Sequence, residues 1–481
     1  MINLFQQLFL ILPEIILATM AMVILILDLF LKDKRRYFIY VLSQLTLLVI
    51  GILIVMNRPT TAQFAFSHMF VSDSLAFYLK LMSCISLSVV FLYSRSYLIS
   101  KNLLTGEYFS LSLFALLGML LMISSNNLLL MYMGLELLSL SLYTLVALNR
   151  DDPNATEAAM KYFVLGALAS GLLLYGMSML YGLSGSLDIM TIASTISQNT
   201  LDPSILTFGL VFVVVGIAFK LGAVPFQMWV PDIYQGATTP ITMMISSVPK
   251  FAAVAMLIRF LFQGLDSLAP DWEQMLLIMA ILSMAIGNIT AIAQTNIKRM
   301  LAYSTISHVG FILLGCVSGS VSGVSSVLFY VTCYVLMTLA AFGIIVALST
   351  DNKNIELIED LKGLSKRQPW VAALMMITIL SLAGIPPTVG FYAKFSVLQA
   401  VVSGGMVWPA VVAVLMTMIG MFYYLRIIKL MYFDEPKITS SFIVAPGFLW
   451  ALTINTGGIL VLGIMPQTLM NVAALSATMS L

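Results

Sequence analysis

The chain has 481 residues, of which 60% are hydrophobic and only 9% are charged, and its mean hydropathy is +1.03. A soluble domain carries about 25% charged residues, so this composition predicts a protein dissolved in lipid. The net charge is +2, and the charges cluster in short loops that form no basic patch able to follow a phosphate backbone, so no nucleic-acid partner is expected.

About twenty apolar residues cross a bilayer, and this rule predicts an all-α polytopic membrane protein with about fourteen transmembrane helices. The first apolar run is too long for the core of a cleavable signal peptide and long enough to span the membrane. No large soluble domain fits between the helices. Predicted spans 1 to 14 lie near residues 4–31, 37–56, 73–98, 107–124, 127–149, 155–183, 205–231, 240–264, 273–293, 299–318, 322–349, 369–400, 406–432 and 442–470.

Lysine and arginine are concentrated in alternate connections between these spans. The even-numbered connections, such as residues 184–204, are nearly free of them. Because cytoplasmic loops carry an excess of lysine and arginine, we expect the odd-numbered connections to be cytoplasmic and both termini to lie on the periplasmic side. The odd-numbered connections contain Lys32, Lys34, Arg35, Arg36, Arg95, Lys101, Arg150, Lys298, Arg299, Lys353, Lys362, Lys366, Arg367 and Lys437.

Proline interrupts two predicted helices, span 7 at Pro225 and span 12 at Pro386 and Pro387. Proline has no N–H to donate to the carbonyl four residues earlier. Such a free carbonyl persists at membrane depth only where protein or water satisfies it. The carbonyls released in this way are those of Leu221, Leu382 and Ala383.

The two breaks lie five spans apart, so tandem five-helix units would have opposite orientations. This arrangement is typical of inverted repeats whose function lies at their broken helices. We therefore predict two inverted five-helix repeats with broken helices 7 and 12. The predicted segments are 1–106 (helices 1–3), 107–264 (first repeat, helices 4–8), 272–434 (second repeat, helices 9–13) and 435–481 (helix 14).

Four charged side chains stand out, Glu136 and Lys250 near the middle of their predicted spans and Lys220 and Lys394 beside the predicted breaks. A lysine at a helix centre costs roughly 2.5 to 3.5 kcal/mol, so such residues indicate function. Desolvation makes a lysine release its proton more readily, and an approaching carboxylate favours the protonated form again. Glu136 and Lys220 could thus load and unload a proton. The alternatives are a protonated carboxyl that only packs and lysines neutralised by carbonyls.

Other polar residues give weaker signals. His308 follows Tyr-Ser-Thr-Ile-Ser and suits proton relay, although a packing histidine is the alternative. Glu157 and Lys161 are most simply an interfacial i,i+4 ion pair. Residues expected to snorkel or pair are Lys80, Arg426, Glu14 and Asp28.

Cysteine and histidine offer no metal or redox centre. The three cysteines, Cys84, Cys316 and Cys333, are isolated and lack metal-ligand spacing. His68 and His308 are far apart in sequence, whereas a haem held by both would need them as paired axial ligands. We therefore expect no cofactor and no metal in this chain.

Four segments carry a family resemblance, residues 157–163, 220–237, 294–310 and 381–395. Each resembles a signature of the antiporter-like subunits of complex I, the proton-pumping NADH:quinone oxidoreductase, and the resemblance extends over essentially the whole chain. It implies a proton channel in the membrane arm. The family positions matching Glu136, Lys220, Lys250 and Lys394 are the helix 5/7 pair, the helix 8 relay lysine and the helix 12 terminal site.

The resemblance also implies partners and a location. FMN and iron–sulfur clusters would reside in other complex I subunits, and the neighbours of this chain would be antiporter-like and small membrane subunits in a bacterial cytoplasmic (inner) membrane. Lys394 stands where one sibling type has glutamate, and the chain ends after helix 14, without the long lateral helix of another sibling type. Gln227 stands where most relatives are expected to have histidine, which puts a protonated intermediate there in doubt.

Two other functions remain open at the level of sequence. A subunit of a multisubunit sodium/proton antiporter would share the broken helices. A passive structural subunit would have no need of four charges within the membrane.

Overall fold

The computed structural model describes residues 4–31, 36–198, 201–349, 355–436 and 445–480. Within these ranges, twelve helices are long and apolar enough to cross a membrane, which confirms the predicted polytopic all-α class. Predicted span 12 is present as two shorter apolar helices, Pro369–Ala383 and Val389–Ser403. Predicted span 10 corresponds to the helix Ile297–Cys316. The total of fourteen spans stays a prediction.

The helices follow one another with short connections. Predicted span 1 is divided at Ile11, two residues before Pro13, and span 8 contains Pro249 and ends in π-helical turns at Ile258–Gly264. The α-helices are α1 Leu4–Leu10, α2 Leu12–Phe30, α3 Tyr37–Met56, α4 Ser74–Ser100, α5 Gly106–Ile123, α6 Leu128–Val146, α7 Pro153–Ser184, α8 Ile189–Ser197, α9 Pro203–Leu221, α10 Trp229–Gly236, α11 Thr239–Ser247, α12 Pro249–Leu257, α13 Ala269–Ile292, α14 Ile297–Cys316, α15 Val321–Leu348, α16 Leu364–Arg367, α17 Pro369–Ala383, α18 Val389–Ser403, α19 Val407–Tyr432, α20 Pro446–Ile464 and α21 Gln467–Thr478.

Two connections contain short elements that were not predicted, and predicted span 14 differs in its extent. The second connection contains an antiparallel hairpin of β1, Gln63–Ala65, and β2, Phe70–Ser72. The sixth contains α8, a short helix with one buried apolar face. Predicted span 14 was extended too far as one helix, because α20 ends before Pro466 and α21 continues beyond it.

The connections alternate between two faces of the bundle. The second, fourth and sixth meet through backbone bridges from Phe70 to Ser125 and from Asn127 to Asp188, on what we call the hairpin face. The third, fifth, seventh, ninth and eleventh surround one polar cavity on the opposite, odd face. Several basic residues used to predict orientation, Lys32, Lys34, Arg35, Lys353 and Lys437, lie outside the described residues.

The centre of the bundle is formed by span 8 and by α15. In their most apolar windows, 94% and 89% of the residues are buried, compared with 28% for α2, α19 and α20. The peripheral helices therefore present apolar side chains outward, as lipid contact requires. The central helices contact protein on every side, so polar side chains on them can be satisfied by neighbours.

Candidate functional site: lysines at two broken helices

The break in span 7 has a defined backbone geometry. Gly222 follows α9 in the left-handed region at φ +80°, and its N–H donates to the carbonyls of Ala218 at 2.9 Å and Phe219 at 3.0 Å. The N–H of Ala223 donates to the same Ala218 carbonyl at 2.9 Å. This is a Schellman end, which favours glycine because a side chain at positive φ is strained. A cis peptide joins Val224 to Pro225.

The break in span 12 repeats that geometry. Gly384 has φ +84°, and its N–H donates to the carbonyls of Leu380 at 3.1 Å and Ser381 at 3.0 Å. The N–H of Ile385 also donates to the Leu380 carbonyl, at 3.0 Å. A cis peptide joins Pro386 to Pro387. Both helices thus end at a glycine three residues before a cis proline.

Lys250 binds the carbonyl that the first break leaves free. Its ammonium donates to the carbonyl of Leu221 at 2.6 Å, and the side chain is 1% exposed. Two residues earlier, the carbonyl of Phe219 accepts a hydrogen bond from the indole N–H of Trp229 at 2.9 Å, in addition to the bond from the Gly222 N–H. Side chains on α10 and α12 therefore stabilise the end of α9.

Lys394 binds the carbonyls that the second break leaves free. Its ammonium donates to Leu382 at 3.1 Å and to Ala383 at 3.0 Å. It also lies 5.4 Å from the centre of the Phe311 ring, which adds a cation–π contact. The released carbonyls predicted from Pro225, Pro386 and Pro387 are thus all satisfied by lysines.

Lys220 lies in the last turn of α9 and faces α6. Its ammonium donates to the hydroxyl of Ser139 at 2.7 Å, and that hydroxyl donates to the carbonyl of Leu135 at 2.6 Å. Glu136 lies one turn from Ser139 and acts electrostatically on Lys220, but the two form no ion pair. Within the described ranges, one buried carboxylate oxygen of Glu136 has no hydrogen-bond partner.

His308 lies in the interior of α14, 3% exposed, among tyrosines. Its Nδ1 is 2.7 Å from the hydroxyl of Tyr330, and its Nε2 is 3.4 Å from that of Tyr424. The Tyr424 hydroxyl bonds in turn to Ser304 at 2.5 Å. Lys394 lies within electrostatic reach of His308. The histidine therefore sits in a hydrogen-bonded polar cluster beside the second break.

Tyr334 connects that cluster with span 8. Its hydroxyl donates to the carbonyl of Ser246 at 3.1 Å and bonds to the hydroxyl of Thr305 at 2.9 Å. Its ring lies 5.3 Å from the ring of His308. Ser246 lies one turn before Lys250. The polar groups therefore extend through the bundle centre from Lys250 towards His308.

The sequence analysis missed the tyrosines of this cluster. Tyr330 and Tyr334 lie four residues apart in the apolar helix α15, so they share a face. Tyr424 belongs to a tyrosine pair with Tyr423 in α19. The i,i+4 spacing was a usable signal, but tyrosine is also common in apolar cores and at membrane interfaces.

Several other charged residues form ion pairs or hydrogen bonds away from the polar groups that extend from Lys250 to His308. Glu157 and Lys161 form the predicted ion pair at 2.8 Å, and Asp232 joins it at 3.0 Å. Lys80 pairs with Glu14 at 2.5 Å inside the N-terminal helices. Two other expected snorkelling or pairing residues find partners: Asp28 pairs with Arg36 at 3.6 Å, and Arg426 donates to the carbonyl of Ile292 at 3.3 Å.

A buried ion pair absent from the sequence analysis joins α4 to span 8. Arg259 binds Asp73 with two nitrogens, at 2.7 and 2.8 Å, and also donates to the carbonyl of Ile123.

Gln227 lies between the halves of span 7, and its amide oxygen is buried without a hydrogen-bond partner among the described residues.

The polar groups that extend from Lys250 to His308 can both donate and accept protons. Hydroxyl groups of serine, threonine and tyrosine can do both, and an ammonium group is a proton donor. Broken helices that meet buried ionisable side chains define a class of membrane protein that moves ions or protons.

Comparison with known proteins agrees with that class. The transmembrane family described as NADH:quinone oxidoreductase/Mrp antiporter matches residues 125–443. A protein of Methylovorus glucosotrophus named NADH-quinone oxidoreductase subunit N is 54% identical and covers 98% of this chain and 97% of its own. The subunit of the same name from Nitrosomonas europaea is 52% identical and covers 96% of each chain.

Solved structures extend the comparison to the fold. A chain of respiratory complex I from Thermus thermophilus with bound aureothin has a TM-score of 0.82 at 29% identity, covering 96% of this chain and 99% of its own. A chain of the Mrp complex from Dietzia sp. has a TM-score of 0.87 at 19% identity, covering 99% and 97%, so it is similar in fold alone. The chain belongs to the NADH:quinone oxidoreductase/Mrp antiporter family and, within it, to the NADH-quinone oxidoreductase subunits N.

Proposed function

We propose that this chain relays protons across the bacterial cytoplasmic membrane as a membrane-arm subunit of NADH-quinone oxidoreductase. NADH oxidation and quinone reduction take place in partner subunits, which hold the FMN and iron–sulfur clusters. The observation that carries the proposal is the contact of Lys250 and Lys394 with the free carbonyls of two broken helices. A lysine held at membrane depth by carbonyl dipoles alone has no counter-ion, so its charge responds to any charge that approaches.

The first half of the relay is formed by Glu136, Ser139 and Lys220. The Lys220 ammonium rests on the Ser139 hydroxyl at 2.7 Å rather than on the carboxylate of Glu136. A movement of Glu136 towards Lys220 favours the protonated lysine, and its withdrawal favours release. One buried carboxylate oxygen of Glu136 has no hydrogen-bond partner among the described residues, so a movement of Glu136 breaks no hydrogen bond to that oxygen.

The second half is formed by Lys250, His308 and Lys394. The hydroxyls of Tyr334 and Thr305 lie between Lys250 and His308, and each can accept one proton while donating another. His308 accepts or donates through either ring nitrogen. Lys394 is placed last, because its ammonium contacts the ring of Phe311, which in turn stacks on Tyr330 of the tyrosine cluster.

We assign the odd face to the cytoplasm and the hairpin face, with both termini, to the periplasm. The polar cavity of the odd face contains Lys101, Lys161, Lys298 and Arg299, in keeping with the excess of basic residues in cytoplasmic loops. On the hairpin face, the side-chain amide of Gln263 donates to the backbone carbonyl of Ser480, which ties the C-terminal end there.

We also propose that residues 107–264 and 272–434 are inverted repeats. The matching glycine and proline positions at the two breaks support this assignment, because both helices end in the same Schellman geometry. Residues 1–106 and 435–481 would flank the repeats.

The two alternative functions are less well supported. The likeness to an Mrp chain at 19% identity concerns the fold, whereas subunits N of NADH-quinone oxidoreductase are 50% identical or more in several bacteria. A passive scaffold gives no reason for two lysines to replace ordinary backbone hydrogen bonds. Purification together with flavin and iron–sulfur subunits would support the proposal, whereas purification with small antiporter subunits would contradict it.

The decisive experiment is Lys394→Met in the complete complex. We expect assembly to persist while proton pumping and coupled NADH oxidation fall, because methionine keeps the length of the side chain but carries no proton. The control is Lys429→Met, which removes an exposed lysine from α19. A normal ratio of protons to electrons in assembled Lys394→Met membranes would remove Lys394 from the pathway.

A further inference from the structure

The odd face contains a polar cavity of about 390 Å³ that the relay described above does not use. Its lining comes from five different connections and includes four carboxylates and four basic side chains. Some of these charges neutralise one another at the rim, where Asp232 accepts from Lys161 at 3.0 Å and from Arg299 at 2.7 Å.

Lys298 forms the floor of this cavity. It is 5% exposed, and its ammonium donates to the carbonyl of Ala237 at 2.9 Å. Among the described residues it has no carboxylate at ion-pair distance, although Asp152 and Glu356 act on it electrostatically from the cavity walls. The same two carboxylates act on Tyr97, which also lines the cavity. A buried lysine that faces two nearby carboxylates without an ion pair is unlike the paired rim.

Polar groups continue inward behind Lys298. The buried hydroxyl of Thr242 donates to the carbonyl of Tyr234 at 3.0 Å and lies 3.4 Å from that of Ala237, the carbonyl that Lys298 binds. The hydroxyl of Tyr234 is buried and has no hydrogen-bond partner within the described part of the chain, although the hydroxyl of Thr305 lies nearby.

Tyr234 lies next in sequence to the cavity residues Gln235 and Gly236, and its hydroxyl lies close to Thr305 of the central cluster. Thr305 bonds to Tyr334 at 2.9 Å, and Tyr334 reaches the carbonyl of Ser246, one turn from Lys250. A tyrosine hydroxyl that is fully buried and unpartnered is costly, so its position needs a reason. The backbone carbonyl of Tyr234 shares the Thr242 hydroxyl with the carbonyl that Lys298 binds, and the side chain extends towards Thr305, which supplies one.

We infer that the cavity is a second proton-uptake site, which delivers protons through Lys298 and Tyr234 to the centre of the bundle without passing Glu136 or Lys220. This inference rests on the proposed function. A proton taken from water in the cavity reaches Asp152 or Glu356, is exchanged at Lys298, and passes by way of the Tyr234 hydroxyl to Thr305 and Tyr334. No electron or bond other than those to hydrogen changes.

The first test is Tyr234→Phe in the assembled complex, with Tyr108→Phe as the matched control. Tyr108 is equally buried, but its hydroxyl donates only to Ser94 among the described residues and lies on α5. Because a positioned proton-transfer group contributes about 10² to 10⁴-fold, we expect coupled NADH oxidation to fall about tenfold or more in Tyr234→Phe. Ferricyanide reduction by NADH, which needs no proton relay, should be unchanged. Normal coupled turnover and pumping in Tyr234→Phe would overturn the inference.

The second test is chemical blockage of the cavity. Asn154 lines it and is exposed, and the three native cysteines are buried, so Asn154→Cys offers one accessible thiol. A negatively charged, membrane-impermeant thiol reagent should inhibit pumping when added to inside-out vesicles. The control is Lys366→Cys, an exposed position on the odd face outside the cavity lining. Complete labelling of Asn154→Cys with undiminished pumping would contradict uptake through this cavity.

The two proposals fail separately. If Lys394→Met abolishes pumping but labelled Asn154→Cys pumps normally, the relay stands and the second uptake site is wrong. If Lys394→Met pumps normally, the proposed relay itself is wrong.

Discussion

The two broken helices share one backbone motif but differ in the side chains that stabilise it. In span 7, α9 ends at Gly222, and the free Leu221 carbonyl is bound by Lys250 from the following span. In span 12, α17 ends at Gly384, and both free carbonyls are bound by Lys394 from the second half of the same span.

The surroundings of the breaks differ as well. The first break has a lysine of its own, Lys220, with a carboxylate at Glu136 nearby. The second has no carboxylate among the contacts of Lys394, and it faces Phe311 and His308 instead. A lysine beside a carboxylate can be switched by a small displacement of charge, whereas a lysine held by carbonyls and an aromatic ring depends on a proton supplied from elsewhere. In the proposed relay, the first break would therefore serve as the loading site and the second as the release site.

The largest losses of activity are expected for Lys250→Met and Lys394→Met. Both should reduce coupled NADH oxidation by roughly 10²-fold, because each removes a proton-transfer group. Lys394→Met should also lower thermal stability more, since it leaves two buried carbonyls unbonded instead of one, at about 1 to 3 kcal/mol each. Thermal unfolding of the assembled complexes measures this difference. Equal stability in the two variants would show that the carbonyls find other partners.

The pair at the first break should depart from additivity. Glu136→Gln and Lys220→Ala should each impair pumping, and the double variant should lose little more than the worse single one, because both disable one step. Coupled residues depart from additivity by roughly 0.5 to 3 kcal/mol. Pumping is measured in the three variants, each scaled to assembled complex. Losses that simply multiply would mean that the residues act in separate steps.

Alanine at the two helix ends should separate backbone strain from contact with the lysine. Gly222→Ala and Gly384→Ala both place a side chain at positive φ, which costs roughly 1 to 2 kcal/mol. At Gly384 the added Cβ would lie 2.9 Å from Lys394 Cδ and 3.2 Å from its Nζ, whereas at Gly222 it would meet Val230. We therefore expect Gly384→Ala to reduce pumping more than Gly222→Ala at comparable loss of thermal stability. The reverse order would argue against a dependence on the position of Lys394.

The smallest expected effect is that of Gln227→His. Relatives are expected to have histidine there, and the glutamine oxygen has no hydrogen-bond partner among the residues that the structure describes, so the substitution breaks no known bond to that oxygen. Coupled activity should stay near that of the unmodified complex. If activity collapses while the complex still assembles, the surroundings of this position depend on an uncharged side chain, and the first break differs from that of its relatives.

Much of the fold was predictable because lipid imposes simple rules. A bilayer requires long apolar helices, and proline removes a definite hydrogen bond, so the spans and the carbonyls freed at Leu221, Leu382 and Ala383 followed from the sequence. The hairpin at 63–72 and the amphipathic helix α8 did not, because both are short and lie outside the apolar spans.

The site was only partly predictable. Lys220, Lys250 and Lys394 were conspicuous because charge is rare in such a chain, but their contacts were not visible. Nothing in the sequence indicates that Lys250 rather than Lys220 binds the end of α9, since helices adjacent in sequence can face each other at many rotations. Tyr334 gave only the weak signal of its i,i+4 spacing from Tyr330, and Tyr234 gave none against its apolar neighbours.

The sequence by itself determined which groups are polar at membrane depth and where the helices break, because both depend on residue type and on distance along the chain. Only the tertiary structure decided which of these groups meet. Lys394 binds carbonyls in the first half of its own span. Lys250 in span 8 binds the Leu221 carbonyl of the neighbouring span 7. His308 joins the line because α14, α15 and α19 pack their hydroxyls around it. Hydrogen bonds act over about 3 Å, and contacts that short are set by the packing of helices distant in sequence.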